Sequence, residues 1–570
     1  MSDEQVSATM LEKSGGYISE ISFNNGETLE IKKNDIVVFV GPNNVGKSQS
    51  LKDIYELCDS KNPSVVISDI TITKSKVSIT TLLDSISINF NHGAYKEYQF
   101  LGGTVTIPIH SESYFYDNPK YGPLRNLFVA NLDTSARLNI CTAQRSITRN
   151  EAKHHPIHYA AFHGKYRKWL SENFKKAFGE SVIPNTFYGG TIPLCIGNPV
   201  KFDGEFADEQ ERQEIYAEKL EGYKQVQNQG DGIKSFTGIL LYLMLDFFCT
   251  FLIDEPESFL HPPQANIMGQ IIGETLKDQQ QAFISTHSEE IIKGLLAVCP
   301  ERINIIRITR DGDKNAFSIL DNSKFNEVWN DPLLKYSNIM SSLFHKSVVL
   351  CESDSDCKIY SIIENNLKQN SGRYSETLFI HCGGKHRMSK IAAALNALNI
   401  EVKLITDIDV LNDAKVFQGI VEAFGIEWND ISSDYNILVS NLYSPKENIN
   451  RNDFRATVNH ILDKSAVLNL TKKELKDVGD ALRTVSKWAP LKVSGISAIP
   501  QADATIAFGR MNKLLMEHGI HIVPVGELER FVKEVGGHGP EWANKVLETY
   551  PDLDDKIYDG IKEFISSLGL

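Results

Sequence analysis

The sequence predicts an α/β protein of two successive parts, each built on short buried strands that end in chemically active side chains. Three observations predict this fold. An apolar strand over residues 35–40 runs directly into a glycine-rich loop and a helix. A second apolar run ends at Asp254, and two further β-branched runs end at Glu352 and Asp407. Strands of this kind, separated by helical patterns, are typical of parallel sheets, and 570 residues exceed what one core holds.

Bulk composition favours a cytoplasmic protein without a membrane segment. The apolar share is 42%, and the eight cysteines form no C-x-x-C pair. The most apolar stretch, residues 240–253, is interrupted by Asp246 and is shorter than the roughly 20 residues that a membrane span requires. We predict that this stretch is a buried helix that leads into a buried strand.

The net charge of −14 argues against broad electrostatic attraction to nucleic acid, so DNA binding would require a local basic patch. Residues 145–176 are one candidate, because arginine, lysine and histidine alternate there with tyrosine and tryptophan. A solvated helical face is the alternative reading of that segment. A second candidate is the short basic stretch Lys385-His386-Arg387.

The glycine-rich loop Gly41-Pro-Asn-Asn-Val-Gly-Lys-Ser48 matches a phosphate-binding loop in the strand–loop–helix context that the motif requires. Glycines let backbone N–H groups approach phosphates, and the following helix N-terminus adds positive potential. Lys47 is predicted to reach the β- and γ-phosphates, and Ser48 to ligate Mg²⁺. The predicted ATP-binding residues of this loop are Gly41, Asn43, Asn44, Gly46, Lys47 and Ser48.

The strand ending at Asp254 predicts the partner motif of that loop. Asp254 would hold the Mg²⁺ water shell, Glu255 would polarise the attacking water, and His287 would contact the γ-phosphate. A further glycine-rich loop at a helix start contains Gly232 and Ser235. In this order the motifs resemble ABC-type ATPases, in which the latter loop completes the nucleotide site of a second subunit. The chain departs from the usual signature there, which leaves the role of that loop open.

Four carboxylates in the second half predict a metal site. Glu352 ends one strand and Asp356 opens the following helix, while Asp407 and Asp409 end another strand. Alternation along a strand predicts that Asp407 and Asp409 share one face. An oxygen-rich pocket of this kind suits Mg²⁺ or Mn²⁺, which can orient a water and stabilise a leaving oxygen.

These carboxylates resemble the Toprim domain, a Rossmann-like fold whose motifs are Glu-Gly-x-x-Asp and Asp-x-Asp. Ser353 replaces the motif glycine here. We therefore predict an ABC-type ATPase domain over residues 1–340, with a helical insertion at about 90–230 that carries dimerisation and basic segments. A Toprim core over 341–450 and a helical region over 451–570 that completes its site would follow.

An ABC-type ATPase followed by Toprim resembles the overcoming-lysogenization-defect (OLD) family of nucleases, an architecture shared with the Gabija nuclease subunit and some retron effectors. The resemblance implies metal-dependent DNA cleavage regulated by ATP, a homodimer or homotetramer through the ATPase domain, and antiphage defence. A reverse transcriptase with its RNA, or a helicase, could be a partner. It also implies late acidic ligands, for which Glu527 and Glu529 fit, and a catalytic lysine, for which Lys545 fits with Lys533 as its rival.

Two other functions remain open from the sequence. The ATPase could act as a nucleotide-dependent sensor or scaffold that works through a partner, with a degenerate Toprim site, and Ser353 is the residue that supports this alternative. Topoisomerases and primases also use Toprim domains, but the sequence marks no strand-passage domain and no primase zinc site.

Overall fold

The structure is a computed structural model that describes residues 15–59, 65–75, 79–101, 103–108, 112–149, 151–200, 208–312, 314–320, 331, 338–442, 450–463, 469–482 and 488–570. The chain divides into two compact units, Met1–Glu327 and Val328–Leu570. This division falls ahead of the predicted boundary after residue 340. Each unit has its own parallel sheet, as the sequence predicted.

The first unit is rich in both strands and helices. Its strands are β1 Tyr17–Phe23, β2 Thr28–Glu30, β3 Ile36–Val40, β4 Ile67–Thr73, β5 Ile88–His92, β6 Tyr95–Phe100, β7 Gly103–Pro108, β8 Val129–Leu132, β9 Gln144–Arg145, β10 Ser181–Pro184, β11 Thr191–Ile192, β12 Leu194–Gly197, β13 Lys224–Gln225, β14 Thr250–Asp254, β15 Gln281–Ser285, β16 Ile303–Asp311 and β17 Lys314–Ile319. Its helices are α1 Lys47–Leu57, α2 Ile79–Ile86, α3 Glu112–Asp117, α4 Arg125–Phe128, α5 Thr134–Asn139, α6 Pro156–Phe162, α7 Gly164–Phe178, α8 Glu209–Glu221, α9 Asp231–Leu243, α10 Pro262–Thr275 and α11 Glu289–Val298.

The central sheet of this unit has the order β17-β16-β3-β15-β14-β8. All of its neighbouring strands are parallel except β16 and β17. Strands β3 and β15 are buried along their whole length, which explains their unbroken apolar sequences. The glycine loop and Asp254 follow the carboxyl ends of β3 and β14, so both motifs meet at the same edge of the sheet. The stretch 240–253 is a helix that leads into a strand, as predicted.

The prediction of a helical insertion over residues 90–230 was incomplete. Helices α6 and α7 lie in this region, but so do eight strands from β6 to β13. One of them, β8, pairs with β14 and belongs to the central sheet itself. A strand of four residues is too short to show a clear period in the sequence, which is why it was missed.

The second unit contains four parallel strands in the order β19-β18-β20-β21. The strands are β18 Ser347–Cys351, β19 Thr377–His381, β20 Glu401–Thr406 and β21 Ile520–Ile522. The helices are α12 Asp354–Asn370, α13 Met388–Ala397, α14 Ala414–Ala423, α15 Trp428–Asn441, α16 Arg451–Leu462, α17 Lys472–Leu482, α18 Ala489–Ser494, α19 Asp503–Glu517, α20 Gly539–Thr549 and α21 Asp559–Ser567.

The C-terminal region contributes directly to the core of this second unit. β21 extends the sheet beside β20, and Trp542 and Tyr558 pack in one apolar cluster with Val349 of β18. All eight cysteines of the chain are buried and form no disulfide. Across the described residues, no helix has both the length and the apolar character needed to cross a bilayer.

His521 in β21 makes the stability of the protein depend on pH. The side chain is 4% exposed, and burial, assisted by Lys403, lowers its pKa to about 4. Because the unfolded chain binds this proton near pH 6.5, the histidine's contribution to stability is present above that pH and is lost as the pH falls. We expect the free energy of unfolding to drop by about 2 kcal/mol from this residue alone between pH 7 and pH 5.

Denaturant titrations of the full chain at both pH values measure this effect. His521→Gln should reduce the pH dependence, and His518→Gln, which changes an exposed histidine nearby, should leave it intact. Equal pH dependence in all three proteins would contradict the assignment.

Candidate nucleotide and metal sites

The glycine loop is held tightly against the central sheet. A Cβ at Gly41, whose φ is +139°, would lie 2.1 Å from the carbonyl oxygen of Ile308, so a side chain does not fit there. Gly46 has φ +102° and precedes α1. The Lys47 ammonium donates to the carbonyls of Gly41 at 2.8 Å and Pro42 at 2.6 Å. The loop thus has the backbone that a phosphate-binding loop requires, while Asn43 and Asn44 lie exposed at its tip.

Acidic residues surround Lys47 at the end of β14. Burial lowers the pKa of Lys47 to about 8, against the opposing effect of Glu255, Glu257 and Asp254. Asp254 accepts a hydrogen bond from the Ser285 hydroxyl. His287 Nε2 lies 3.6 Å from Glu255 Oε1. The structure therefore brings together the predicted Lys47, Asp254, Glu255 and His287.

Glu257 is an additional acidic group that the sequence analysis did not assign. Its Oε1 accepts the His287 backbone N–H at 2.6 Å, whereas Oε2 is buried without a hydrogen-bond partner among the described residues. Burial raises the pKa of this carboxyl. A buried oxygen of this kind beside a phosphate loop fits a bound cation or an ordered water.

Arg137 organises the backbone beside these acids, although no local sequence motif indicates this role. Its guanidinium is fully buried and donates to the carbonyls of Asp254 and Glu255, the latter at 3.1 Å. Glu255 has φ +47°, a strained conformation for a residue with a side chain. Arg137 thus holds the backbone that aims the Glu255 carboxylate.

The environment of Ser235 does not favour its predicted role. Ser235 has no exposed surface in this chain, and its hydroxyl accepts from Arg137 Nε at 3.2 Å. Gly232 lies in the first turn of α9, and a Cβ there would come within 2.5 Å of the Phe259 carbonyl oxygen. In this structure both residues pack within their own unit, and Arg137 is the residue that contacts the backbone of the acids.

In the second unit, Ser353 explains how the helix after β18 begins. Ser353 is the N-cap of α12, and its backbone N–H donates to Asp356 Oδ2 at 2.9 Å. The Asp356 N–H donates in turn to Ser353 Oγ at 3.3 Å, which completes a capping box. The serine that replaces the motif glycine therefore fixes Asp356 in place, so this substitution does not by itself indicate a degenerate site.

The strand argument for Asp407 and Asp409 was wrong, although both residues lie at the predicted edge of the sheet. Strand β20 ends at Thr406, Asp407 precedes a 3-10 turn, and Asp409 lies within that turn, Ile408–Asn412. Strand alternation therefore does not apply to them. The turn is anchored because the Ile408 N–H donates to the Gly526 carbonyl at 3.0 Å.

The four carboxylates lie close enough for their charges to act on one another. Burial, followed by the charges of Asp356, Glu352 and Asp409, raises the pKa of Asp407 well above its usual value. Burial, followed by Asp409, also raises the pKa of Glu352. Glu352 Oε2 is buried without a hydrogen-bond partner among the described residues. Mutually repelling carboxylates with an unsatisfied buried oxygen fit a divalent cation, which would neutralise them and accept that oxygen as a ligand.

Two lysines complete this cluster, and neither is the predicted Lys545. Lys385 Nζ lies 3.3 Å from Asp409 Oδ1. Lys492 Nζ lies 3.5 Å from Asp409 Oδ2 and 3.6 Å from Glu527 Oε2. Lys545 and its rival Lys533 are exposed and have no ion pair with a described carboxylate. Helix α20 turns Trp542 and Val546 inward and leaves Lys545 facing solvent, so the role of Lys545 stays a prediction.

A close backbone contact places Lys492 beside Glu527. A Cβ at Gly526 would lie 2.5 Å from the Lys492 carbonyl oxygen, and its φ is +107°. Glu527 is 2% exposed and accepts from Arg530 Nε at 3.0 Å. Gly495 and Gly526 are the sequence features that permit this close backbone contact.

A histidine, His538, lies beside the predicted acidic ligands Glu527 and Glu529. Ligand atoms of Glu527, Glu529 and His538 all lie within 4.8 Å of one another. Glu529 Oε1 accepts the Gly539 N–H at 2.8 Å and lies 3.3 Å from His538 Nδ1. Because Glu529 is among the charges that raise the pKa of Asp356, the structure brings the predicted late residues close to the first carboxylates.

Two lysines of the basic segment 145–176 pair with acidic residues outside it. Lys165 Nζ and the Tyr166 hydroxyl contact the buried Asp246, at 3.4 and 2.8 Å. Lys176 pairs with Glu274 at 3.0 Å. These contacts favour the alternative of a helical face over a dedicated DNA-binding patch. In contrast, the turn Lys385–Arg387 lies next to the carboxylates, with His386 exposed.

These features define a class of protein in which a phosphate-loop nucleotide unit is followed in sequence by a Toprim-like unit with a carboxylate cluster. Residues 343–409 match the TOPRIM domain of overcoming-lysogenization-defect-like proteins. The Old nuclease of Escherichia phage P2 is 23% identical over 167 residues, which span 28% of this chain and 28% of the phage protein. These matches confirm the predicted resemblance to the OLD family, and the second unit contains a Toprim domain of that type.

Solved structures similar to this chain include heads of SMC proteins. The SMC head domain from Thermotoga maritima is 11% identical, with a TM-score of 0.28, over 54% of this chain and 99% of that one. An Smc head from Pyrococcus furiosus with an extended coiled coil, bound to the C-terminal domain of ScpA, is 12% identical, with a TM-score of 0.29, over 55% and 98%. At TM-scores this low the likeness is distant, and the fold of the first unit is defined by its own sheet and phosphate loop.

Proposed function

We propose that the protein is an ATP-regulated, divalent-metal-dependent DNA endonuclease of the OLD type that acts in antiphage defence. The observation that carries this proposal is the mutual charge interaction of Glu352, Asp356, Asp407 and Asp409, together with a buried oxygen on Glu352 that has no hydrogen-bond partner among the described residues. The ATP part is supported by Lys47, which lies in a phosphate loop beside Asp254 and Glu255.

In the proposed cleavage reaction, the four carboxylates would hold Mg²⁺ or Mn²⁺, with Glu527 and Glu529 as further ligands. A bound divalent ion supplies Lewis-acid polarisation of a phosphate oxygen and of water. Lys492 carries a positive charge that can contact the scissile phosphate and offset the charge that develops on it. Burial alone would lower the pKa of Lys492, but Asp409, Glu527 and Asp407 together raise it, so the side chain stays charged.

In the nucleotide unit, Lys47 would bind the β- and γ-phosphates, and Ser48 and Asp254 would hold Mg²⁺. Glu255 would orient the attacking water, with His287 next to it. We propose that nucleotide binding assembles a homodimer or homotetramer through this unit and thereby changes the rate of DNA cleavage.

Cleavage of supercoiled plasmid with Mg²⁺ or Mn²⁺, in the presence and absence of ATP, tests this function. Wild type should nick or linearise the plasmid, and EDTA should stop the reaction. Lys47→Ala should remove any difference between the arms with and without ATP. If wild type cleaves the plasmid with neither Mg²⁺ nor Mn²⁺, whether ATP is present or absent, the endonuclease assignment fails. The sensor or scaffold function then becomes the better account.

Arg137 provides a prediction specific to the nucleotide unit. Arg137→Met should lower the turnover of ATP hydrolysis by about 10- to 100-fold while changing ATP affinity little, because the Glu255 backbone loses its support and the phosphate loop does not. Steady-state ATPase kinetics and ATP-analogue binding measure the two quantities. Arg149→Met, at an exposed arginine, is the matched control. A loss of affinity equal to the loss of turnover would argue against a positioning role.

A further inference from the structure

A cavity of about 320 Å³ lies within the first unit, and none of the residues proposed to bind ATP lines it. Its walls come from three main elements. Tyr55 lies in the last turn of α1, Asn131 lies in β8, and Tyr242 lies near the end of α9. Asn126 of α4, the exposed His154, and His155 as the N-cap of α6 complete the polar part of the lining. The volume is at the lower end of the range for small-molecule pockets, roughly 300–1,000 Å³.

The polar groups of the lining offer both donors and acceptors. The Tyr55 hydroxyl donates to Asn126 Oδ1 at 2.7 Å. His155 Nδ1 accepts the Ile157 N–H at 3.2 Å, and burial lowers the pKa of this histidine to about 3. The ring is therefore neutral, and its proton lies on Nε2, which makes Nε2 a donor. No described residue hydrogen-bonds to the side-chain amide of Asn131, which can both donate and accept.

Charge in the lining limits the ligand further. Among the described residues, no lysine, arginine, aspartate or glutamate lines the cavity. A phosphate group would find no lysine or arginine to pair with there, so its desolvation would be poorly compensated. A neutral, flat ligand with donors and acceptors on its edge fits two tyrosines, two amides and two imidazoles, of which that of His155 is neutral. Amide side chains and aromatic rings are the groups that proteins use to recognise nucleobases.

We propose that this cavity is a binding site for a neutral nucleobase, and that its occupancy regulates the ATP site. The binding does not depend on the function proposed above, whereas the regulation rests on it. The base could come from a free nucleoside or from an unpaired position in a DNA strand, and the chemistry of recognition is the same for both.

The lining elements explain how the cavity could influence ATP. Helix α1 carries Tyr55 at one end and begins with Lys47 at the other. Strand β8 carries Asn131 and leads into α5, from which Arg137 donates to the carbonyls of Asp254 and Glu255. A ligand that contacts Tyr55 and Asn131 therefore touches both elements that position the nucleotide-binding groups. If the ligand binds one arrangement of these elements more tightly than another, its binding changes the behaviour of the ATP site.

Isothermal titration of the full-length protein with adenosine, guanosine, cytidine and thymidine tests the proposal. A saturating non-hydrolysable ATP analogue keeps the nucleosides out of the phosphate-loop site, and ribose alone is the probe without a base. At least one nucleoside should bind while ribose does not. In a parallel arm, a short single-stranded oligonucleotide is compared with its abasic counterpart, which detects a base that is recognised only within a strand.

Variants locate the site. Asn131→Leu and the milder Tyr242→Phe should each weaken nucleobase binding by about tenfold, the effect of losing one good hydrogen bond. Asn139→Leu makes the same change at an exposed position of α5 and should have no effect. The proposal is overturned if neither nucleoside nor base-containing strand binds, or if binding survives both cavity variants unchanged. Binding with no change in ATPase rate would overturn the regulatory part while leaving the site itself.

Discussion

Replacing Asp407 with asparagine is expected to lower the rate of metal-dependent plasmid cleavage by about 1,000-fold, because a carboxylate that interacts with the other three is lost. The pKa of Asp407 is raised by burial and then by the charges of Asp356, Glu352 and Asp409, so all three act on this carboxyl. The single-turnover rate of nicking at saturating Mg²⁺ measures the effect.

The same variant should not unfold the protein. A carboxyl whose pKa is higher in the folded state than in the unfolded chain stabilises the fold below its unfolded pKa, and this contribution is lost as the pH rises towards the folded value. At neutral pH in EDTA, asparagine carries no charge and therefore avoids the destabilisation that ionised Asp407 causes. We expect the Tm of Asp407→Asn to equal or exceed that of wild type. Cleavage within tenfold of wild type, in a folded variant, would contradict the assignment of Asp407.

Lys492→Ala is the second large expected effect, with a loss of about 100-fold in cleavage rate. The reason is that Lys492 lies 3.5 Å from Asp409 Oδ2 and 3.6 Å from Glu527 Oε2, where its charge can meet the substrate phosphate. Weaker metal binding would not be the cause, since removing a cation from among carboxylates favours a bound cation. The cleavage rate at several Mg²⁺ concentrations separates the two effects.

Lys545→Ala is the matched control for this experiment, because it removes the same side chain from an exposed position on α20. Its cleavage rate should stay within about twofold of wild type, as expected for an exposed residue without a contact to the cluster. The opposite pattern, with Lys545→Ala inactive and Lys492→Ala active, would show that the sequence-based choice was right and that the structural assignment of the lysine is wrong.

The parts of the fold that follow from short contiguous segments could be predicted from the sequence. The phosphate loop needs only a strand, a glycine turn and a helix in succession, and all three lie within residues 36–57. The strand ending at Asp254 and the helix start at Asp356 are local in the same sense. Such segments specify their own conformation, because strand propensity, turn glycines and capping act over a few residues.

The residues that were missed are brought to their sites by long-range folding. Arg137 contacts the backbone of Asp254 across 117 positions of sequence, and Lys492 contacts Asp409 across 83. Neither residue lies in a recognisable motif. Their positions depend on where β8 and the Gly526 turn pack, which periodicity in the sequence does not specify.

Ser353 shows that one part of the site could have been interpreted better. The segment Ser353-Asp354-Ser355-Asp356 has the spacing of an N-terminal capping box, and the structure contains both of its hydrogen bonds. A departure from a family motif was thus compensated by a local interaction that the sequence already contained. The error over Asp407 and Asp409 is of the opposite kind, since a strand pattern was continued past the residue at which β20 ends.

The most direct test of the account is a titration of the full-length protein with Mn²⁺ in the absence of nucleotide, followed by electron paramagnetic resonance. If the carboxylates of the second unit hold the metal that cleavage requires, wild type should bind Mn²⁺, and Asp407→Ala should bind it at least about tenfold more weakly. Equal binding by the two proteins, or no binding by a wild-type protein that cleaves DNA, would contradict the central claim.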